Sequence, residues 1–147
     1  RVDALAKMLG IKSEILMEDQ SRILWREIRD CEPFADGGNS PVWRVSVAPM
    51  VGHALVADLR LHAAVDAFYD WQGGLVWLRI DGAPEAEAIR ALVKKHGGGH
   101  ATLIRASEGE RRTIPVFEPQ PLALAALAAR VREQFDPYGI LNPGRMG

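Results

Sequence analysis

The chain has 147 residues, of which 48% are hydrophobic and 25% charged, and its formal net charge is −1. This composition is typical of a globular protein with enough residues for one core, and the balanced charge argues against nucleic acid or an anionic membrane surface as a partner. No apolar run reaches the roughly 18 residues of a membrane helix, and the single cysteine, Cys31, excludes an internal disulfide and a cysteine-based metal site.

The first segment of the chain, residues 1–30, has a helical pattern. Leu24 and Ile28 stand four residues apart and would share one side of a helix, with Ser21 as a plausible N-cap. The run "EPFADGGNSP" then breaks the pattern with glycine and proline. We therefore expect residues 1–40 to form a leading helical segment and a linker.

From Pro41 onward the pattern indicates a compact unit in the order β-α-β-β-α-β. The run "VWRVSVA" alternates apolar and polar residues, as a half-buried strand does. The predicted strands lie near residues 42–48, 64–71, 75–80 and 100–106, and the predicted helices near 51–62 and 84–97. Pro84 suits the first turn of the second helix, and Gly97 suits the position after its end. This order predicts an α+β, ferredoxin-like sandwich with both helices on one face of an antiparallel sheet.

The C-terminal part of the chain reads as a loop, a helix and a turn-rich tail. We expect "SEGERRTIPVFEPQP" to be irregular and residues 121–135 to be helical. The apolar stripe through which this helix would dock comprises Leu124, Leu127, Ala128, Val131 and Phe135. Asp136 precedes a proline and should stop the helix, and the run from Asn142 to Arg145 fits a type II turn.

The run "HGGGH", from His96 to His100, suggests two kinds of site, a metal pair or an oxyanion hole. Three glycines oppose the helix that a metal pair with this spacing would need, and the chain lacks the G-x-S-x-G run that accompanies an oxyanion hole of this type. We therefore interpret the run as a helix end followed by a glycine turn. His53 and His62 are interpreted as ordinary surface or core-edge residues, and no metal site is predicted.

Three arginines, Arg44, Arg79 and Arg105, each fall within a predicted strand. On the helix-free face of the sheet, the planar guanidinium could bind a carboxylate of a ligand. The alternative is that each arginine lies on a solvated face without a ligand. The pattern alone does not identify any catalytic residue.

The tail "FDPYGILNPGRM" closely resembles the C-terminal signature of FAD-linked oxidases of the vanillyl-alcohol oxidase type. The runs "GGLVWLRI", "GGGHATLIRA" and "PVFEPQPLALAALAARVREQF" further resemble the FAD-binding subunit of bacterial glycolate oxidase. The resemblance implies that residues 41–147 are a cap domain with its C-terminal tail, and that the FAD-binding domain lies outside this chain. It also implies that Asn142 lies close to the flavin, with Arg145 as a second cofactor-binding residue.

The function implied by this resemblance is a part in oxidising glycolate, a 2-hydroxy acid, to glyoxylate through FAD. The implied partners are an FAD-linked catalytic subunit and an iron–sulfur subunit, and the implied location is the cytoplasm, either free or held at the inner face of the membrane by those subunits. The chain lacks the E-H-G run of the metal site in related enzymes. Whether this subunit itself oxidises glycolate or serves electron relay or assembly therefore stays open. We expect the chain alone to be folded, inactive and without bound FAD; the alternative is a ligand-binding regulatory module without redox activity.

Overall fold

A computed structural model describes residues 2–10 and 14–141, which separate into two compact units, Arg1–Gly37 and Gly38–Gly147. The first unit contains helix α1 (Val2–Leu9) and helix α2 (Glu18–Arg29), followed by a short 3-10 turn at Glu32–Phe34. The helical pattern of this segment is confirmed, but the predicted N-cap is wrong, because Ser21 lies inside α2. At the start of α2, the backbone N–H of Met17 donates to the side chain of Gln20 at 3.3 Å.

The second unit contains a four-stranded antiparallel sheet and its two covering helices. In chain order these elements are β1 (Val42–Ser46), α3 (Gly52–Leu59), β2 (Ala64–Asp70), β3 (Leu75–Asp81), α4 (Ala86–Lys95) and β4 (His100–Arg105). The strands lie side by side in the order β2-β3-β1-β4. This is the α+β, ferredoxin-like arrangement predicted from the sequence.

The core lies between α3, α4 and one face of the sheet. Alternate residues of β1, Trp43 and Val45, are fully buried there, because successive side chains of a strand point to opposite faces. The other fully buried or nearly fully buried members are Leu55, Val56, Leu59, Val76, Leu78, Ile80, Ile89, Val93, Ala101 and Leu103. The indole N–H of Trp43 donates to the backbone oxygen of Pro84 at 2.8 Å. Because α4 begins at Ala86 with Glu85 as its N-cap, Pro84 lies before the helix rather than in its first turn, which corrects the predicted start of that helix.

The segment after β4 is more ordered than the sequence predicts. Helix α5 (Glu108–Thr113) interrupts the expected irregular loop, and Ser107 caps it through a reciprocal pair of hydrogen bonds with Glu110. The chain then runs along the outer edge of β4, where the N–H of Leu103 donates to the backbone oxygen of Val116 at 2.8 Å. This contact covers part of the sheet edge that β4 would otherwise expose.

Helix α6 (Leu122–Phe135) forms where the sequence predicts it, but none of its side chains is buried. The members of the predicted docking stripe that lie exposed are Leu124, Leu127, Val131 and Phe135. The carboxylate of Asp136 accepts hydrogen bonds from the backbone N–H groups of Ile140 and Leu141, at 2.9 and 2.8 Å. This aspartate ends the helix as predicted and also fixes the turn that follows it. The predicted turn from Asn142 to Arg145 lies outside the described residues.

Within the described part of the chain, no helix is long and apolar enough to span a bilayer.

Candidate functional site on the helix-free face of the sheet

The face of the sheet opposite α3 and α4 is the place where the candidate site residues meet. Strand pairing aligns its residues in three rows that cross β2, β3, β1 and β4 in that order. These rows are Asp66, Arg79, Val42 and Arg105; then Phe68, Trp77, Arg44 and Thr102; then Asp70, Leu75, Ser46 and His100. We call this grid the helix-free face. All of the strand arginines singled out from the sequence lie on it.

Two of these arginines are engaged by groups of the chain itself. The guanidinium of Arg79 binds the carboxylate of Asp66 on the neighbouring strand at 2.6 Å. Arg105 lies at the far end of the same row, beside an irregularity in the β1–β4 pairing, and its Nε donates to the backbone oxygen of Ser40 at 3.1 Å. Arg79 thus has its charge matched, and Arg105 ties the chain entering β1 to the outer strand.

Arg44 lies in the middle row and has a different environment. Its guanidinium carbon is 5.6 Å from the centre of the Trp71 ring, a cation–π distance. Among the residues that the structure describes, no carboxylate lies within 4.0 Å of its nitrogens. The positive charge of Arg44 is therefore held in place by an aromatic ring, which leaves its hydrogen-bond donors available to a ligand.

The turn that carries Trp71 is tightly constrained. Trp71 and Gln72 both have left-handed backbone angles, with φ of 50° and 57°. The carboxylate of Asp70 accepts a hydrogen bond from the backbone N–H of Trp71 at 2.7 Å. The N–H of Met50, in the loop after β1, donates to the backbone oxygen of Gln72 at 2.9 Å. Non-glycine residues keep such angles only where their surroundings enforce them, and such positions are frequent at functional sites.

An aromatic stack lies beside Arg44 on the same face. The rings of Phe68 and Trp77 are 6.2 Å apart at their centres and inclined by 18°. The sequence analysis did not identify Phe68, Trp71 and Trp77 as neighbours of Arg44. Their alternation with core residues was a usable signal, whereas the side chain of Trp71 reaches Arg44 through a turn geometry that the sequence does not reveal.

The "HGGGH" run forms the end of α4 and the glycine turn that leads into β4. His96 ends α4 on the helical layer, where its Nε2 lies 2.9 Å from the carboxylate of Asp58, whereas His100 lies on the helix-free face. The ammonium of Lys95 also donates to this carboxylate, at 2.7 Å. Hydrogen bonds from Lys95 and then His96 lower the pKa of Asp58 below its ordinary value. No cluster of three potential metal ligands occurs in the described ranges.

Comparison with known proteins gives one informative similarity. The chain is 30% identical over 133 residues to glycolate oxidase subunit GlcE of Escherichia coli (strain K12). The aligned region covers 88% of this chain and 32% of that protein. The chain therefore spans about a third of the length of the curated relative it matches. No family model and no solved structure matches the chain. The similarity confirms the resemblance to a glycolate oxidase subunit that the sequence runs predicted.

Proposed function

We propose that this chain is the C-terminal cap module of an FAD-binding glycolate oxidase subunit, whose complex oxidises glycolate to glyoxylate. The observation that carries the proposal is the similarity to glycolate oxidase subunit GlcE over 88% of the chain. The aligned region amounts to 32% of that relative, so the oxidation is proposed for the longer protein and its complex. The proposed partners are an FAD-linked catalytic subunit, an iron–sulfur subunit and a small 2-hydroxy acid. The proposed location is the cytoplasm.

The helix-free face fits a role beside a planar cofactor. Its middle row combines the Phe68–Trp77 stack with the cation of Arg44, which suits contact with a flat, hydrogen-bonding ring system. FAD supplies two-electron acceptor chemistry when bound, and the protein supplies position and electrostatics. The side chains of this face would orient the substrate and exclude water from it. We also propose that Asn142 and Arg145 contact the cofactor; both lie outside the described residues.

Among the described residues, the glycines of the turns beside the sheet do not offer a loop for the pyrophosphate of FAD. Gly73 belongs to the turn between β2 and β3, and Gly97 to Gly99 form the turn between α4 and β4. A Cβ added to Gly99 would lie 2.2 Å from the backbone oxygen of Ser46, so this turn is packed against the sheet. We therefore expect the groups that bind the pyrophosphate to belong to the longer protein. The exposed stripe of α6 would pack on that flavin-binding part.

The proposal is tested by comparing this chain with the longer protein. Titration of the 147-residue chain with FAD should leave the flavin fluorescence unchanged at micromolar concentrations. The longer protein should purify with bound flavin, and Asn142→Ala should weaken flavin retention or shift its absorption spectrum. Asn39→Ala, in the run that precedes β1, is the matched control and should change neither.

Two results would contradict the proposal. Tight FAD binding by the chain alone would place the cofactor site within these residues, against a cap that needs a second domain. A longer protein that folds without flavin would favour the alternative, a regulatory ligand-binding module without redox activity. Where the longer protein does carry flavin, glycolate-dependent reduction of that flavin, measured with and without the partner subunits, shows whether this subunit itself oxidises the substrate or relays electrons.

A further inference from the structure

We infer that Arg44, held against Trp71, is the residue of the helix-free face that binds the carboxylate of a small ligand. The inference rests on the proposed function only for the ligand's identity, a 2-hydroxy carboxylate. The anion-binding arrangement itself comes from the geometry of the face.

The choice of Arg44 follows from what occupies each arginine on this face. Arg79 already binds Asp66 at 2.6 Å, so a ligand carboxylate would have to compete with the carboxylate of Asp66 for the guanidinium. The Nε of Arg105 is used by the backbone oxygen of Ser40. Arg44 lies at the centre of the grid, is partly exposed, and has no carboxylate within ion-pair distance in the described residues.

Trp71 acts as a positioning residue for this cation. A long arginine side chain loses rotational freedom when it binds a ligand, and a ring that already holds the guanidinium reduces that loss. The left-handed turn and the hydrogen bond from the Trp71 N–H to Asp70 fix where the ring lies. The guanidinium is planar and can stack on the ring while its edge donates two parallel hydrogen bonds to a carboxylate.

The surroundings of Arg44 favour a small ligand that carries a hydroxyl group. On one side Arg44 is paired with Trp77, whose ring stacks with Phe68 and can exclude water. On the other side it is paired with Thr102, a hydroxyl donor and acceptor on β4. The aspartates of the three rows, Asp66 and Asp70, lie on β2, with β3 between them and Arg44. One of them is bound to Arg79 and the other caps the Trp71 turn.

The test is a titration of the 147-residue chain with glycolate, followed by NMR of the Arg44 Nε–H and the Trp71 indole N–H. Both signals should shift saturably. Arg44→Lys keeps the charge but lacks the planar fork, and should weaken binding about tenfold or more, as expected for the loss of a charge-assisted hydrogen bond. Arg79→Lys is the matched control on the same face and should change the affinity less than about twofold. Equal effects of the two substitutions would overturn the assignment.

A second comparison isolates the positioning role of Trp71. Trp71→Ala should remove the ring-current shift of the Arg44 Nε–H in the free protein and weaken glycolate binding several-fold, whereas Trp71→Phe should restore most of both. An unchanged Arg44 signal in Trp71→Ala would refute this role. Acetate and chloride distinguish a carboxylate site from a general anion site, and equal binding of chloride contradicts the inference. The two proposals can fail separately. If this chain binds glycolate at Arg44 but the longer protein purifies without flavin, the oxidase proposal is refuted and this inference stands.

Discussion

Replacement of Gly99 by alanine should be among the most damaging single-methyl changes in this chain. The residue has φ of 146°, a backbone angle that residues with a side chain rarely adopt, and it lies where the turn after α4 meets β1. An added Cβ would stand 2.2 Å from the backbone oxygen of Ser46 and 3.2 Å from the side chain of Val47. Because the first of these atoms belongs to the backbone of a central strand, it cannot move aside cheaply.

The expected cost has two parts. Forcing alanine into this backbone region costs about 1–3 kcal/mol, and displacing the packed atoms around the new methyl group costs a further ~1–3 kcal/mol. Gly98→Ala is the matched control, because Gly98 also has a positive φ, of 91°, but a Cβ there would meet no atom within 4 Å. The control should therefore show only the backbone part of the cost.

Urea denaturation followed by far-ultraviolet circular dichroism measures both variants. The free energy of unfolding, extrapolated to water, should fall further for Gly99→Ala than for Gly98→Ala, by about 1–3 kcal/mol. Amide exchange at Ser46 should accelerate in the first variant and not in the second. Equal destabilisation by the two substitutions would refute the argument that packing against Ser46, rather than backbone conformation, makes the glycine necessary.

Three further changes test other contacts of the same unit. Asp58→Asn should flatten the acid dependence of stability, because hydrogen bonds from Lys95 and His96 lower the folded-state pKa of Asp58. The contribution of Asp58 to the free energy of unfolding is fully present above the unfolded pKa of about 3.9. It is lost as pH falls through the lower folded-state pKa. Urea midpoints measured between neutral and acid pH check this, and an unchanged pH profile would contradict it. Arg90→Ala should cost about 1–3 kcal/mol, because its guanidinium binds two backbone oxygens of the segment along β4, and unchanged unfolding would show that this clamp contributes nothing. Ser107→Ala should cost about 0.5–2 kcal/mol and accelerate amide exchange within α5, whereas unaltered exchange would argue against the cap.

The sheet and its two helices could be predicted because their sequences carry the signal locally. In β1, Trp43 and Val45 alternate with Arg44 and Ser46, and burial in the structure follows that alternation. The alternation also shows which side chains share a face, so the location of the strand arginines on one side of the sheet was within reach of the sequence.

What the sequence did not reveal depends on contacts between distant residues or on local capping. Arg79 and Asp66 are 13 residues apart, and only the register of β2 against β3 makes them neighbours. Helix α5 was missed because charged residues dominate its six positions, so no apolar stripe marks it, and the Ser107–Glu110 capping pair was the available sign. The geometry of the Trp71 turn could not be predicted, because left-handed angles at non-glycine residues have no clear sequence signal.

On the helix-free face, the ligand that an arginine can bind depends on its neighbouring side chains and not only on the strand that carries it. Arg44 and Arg79 have the same residue type and lie on adjacent strands of the same face. An aspartate one strand away matches the charge of Arg79, whereas an aromatic ring holds Arg44 without neutralising it. Since a guanidinium paired with a carboxylate has little to gain from a second anion, the two positions differ in the ligand they can bind. We therefore expect any role of this face toward a carboxylate substrate to depend on Arg44 and on the left-handed turn that carries Trp71.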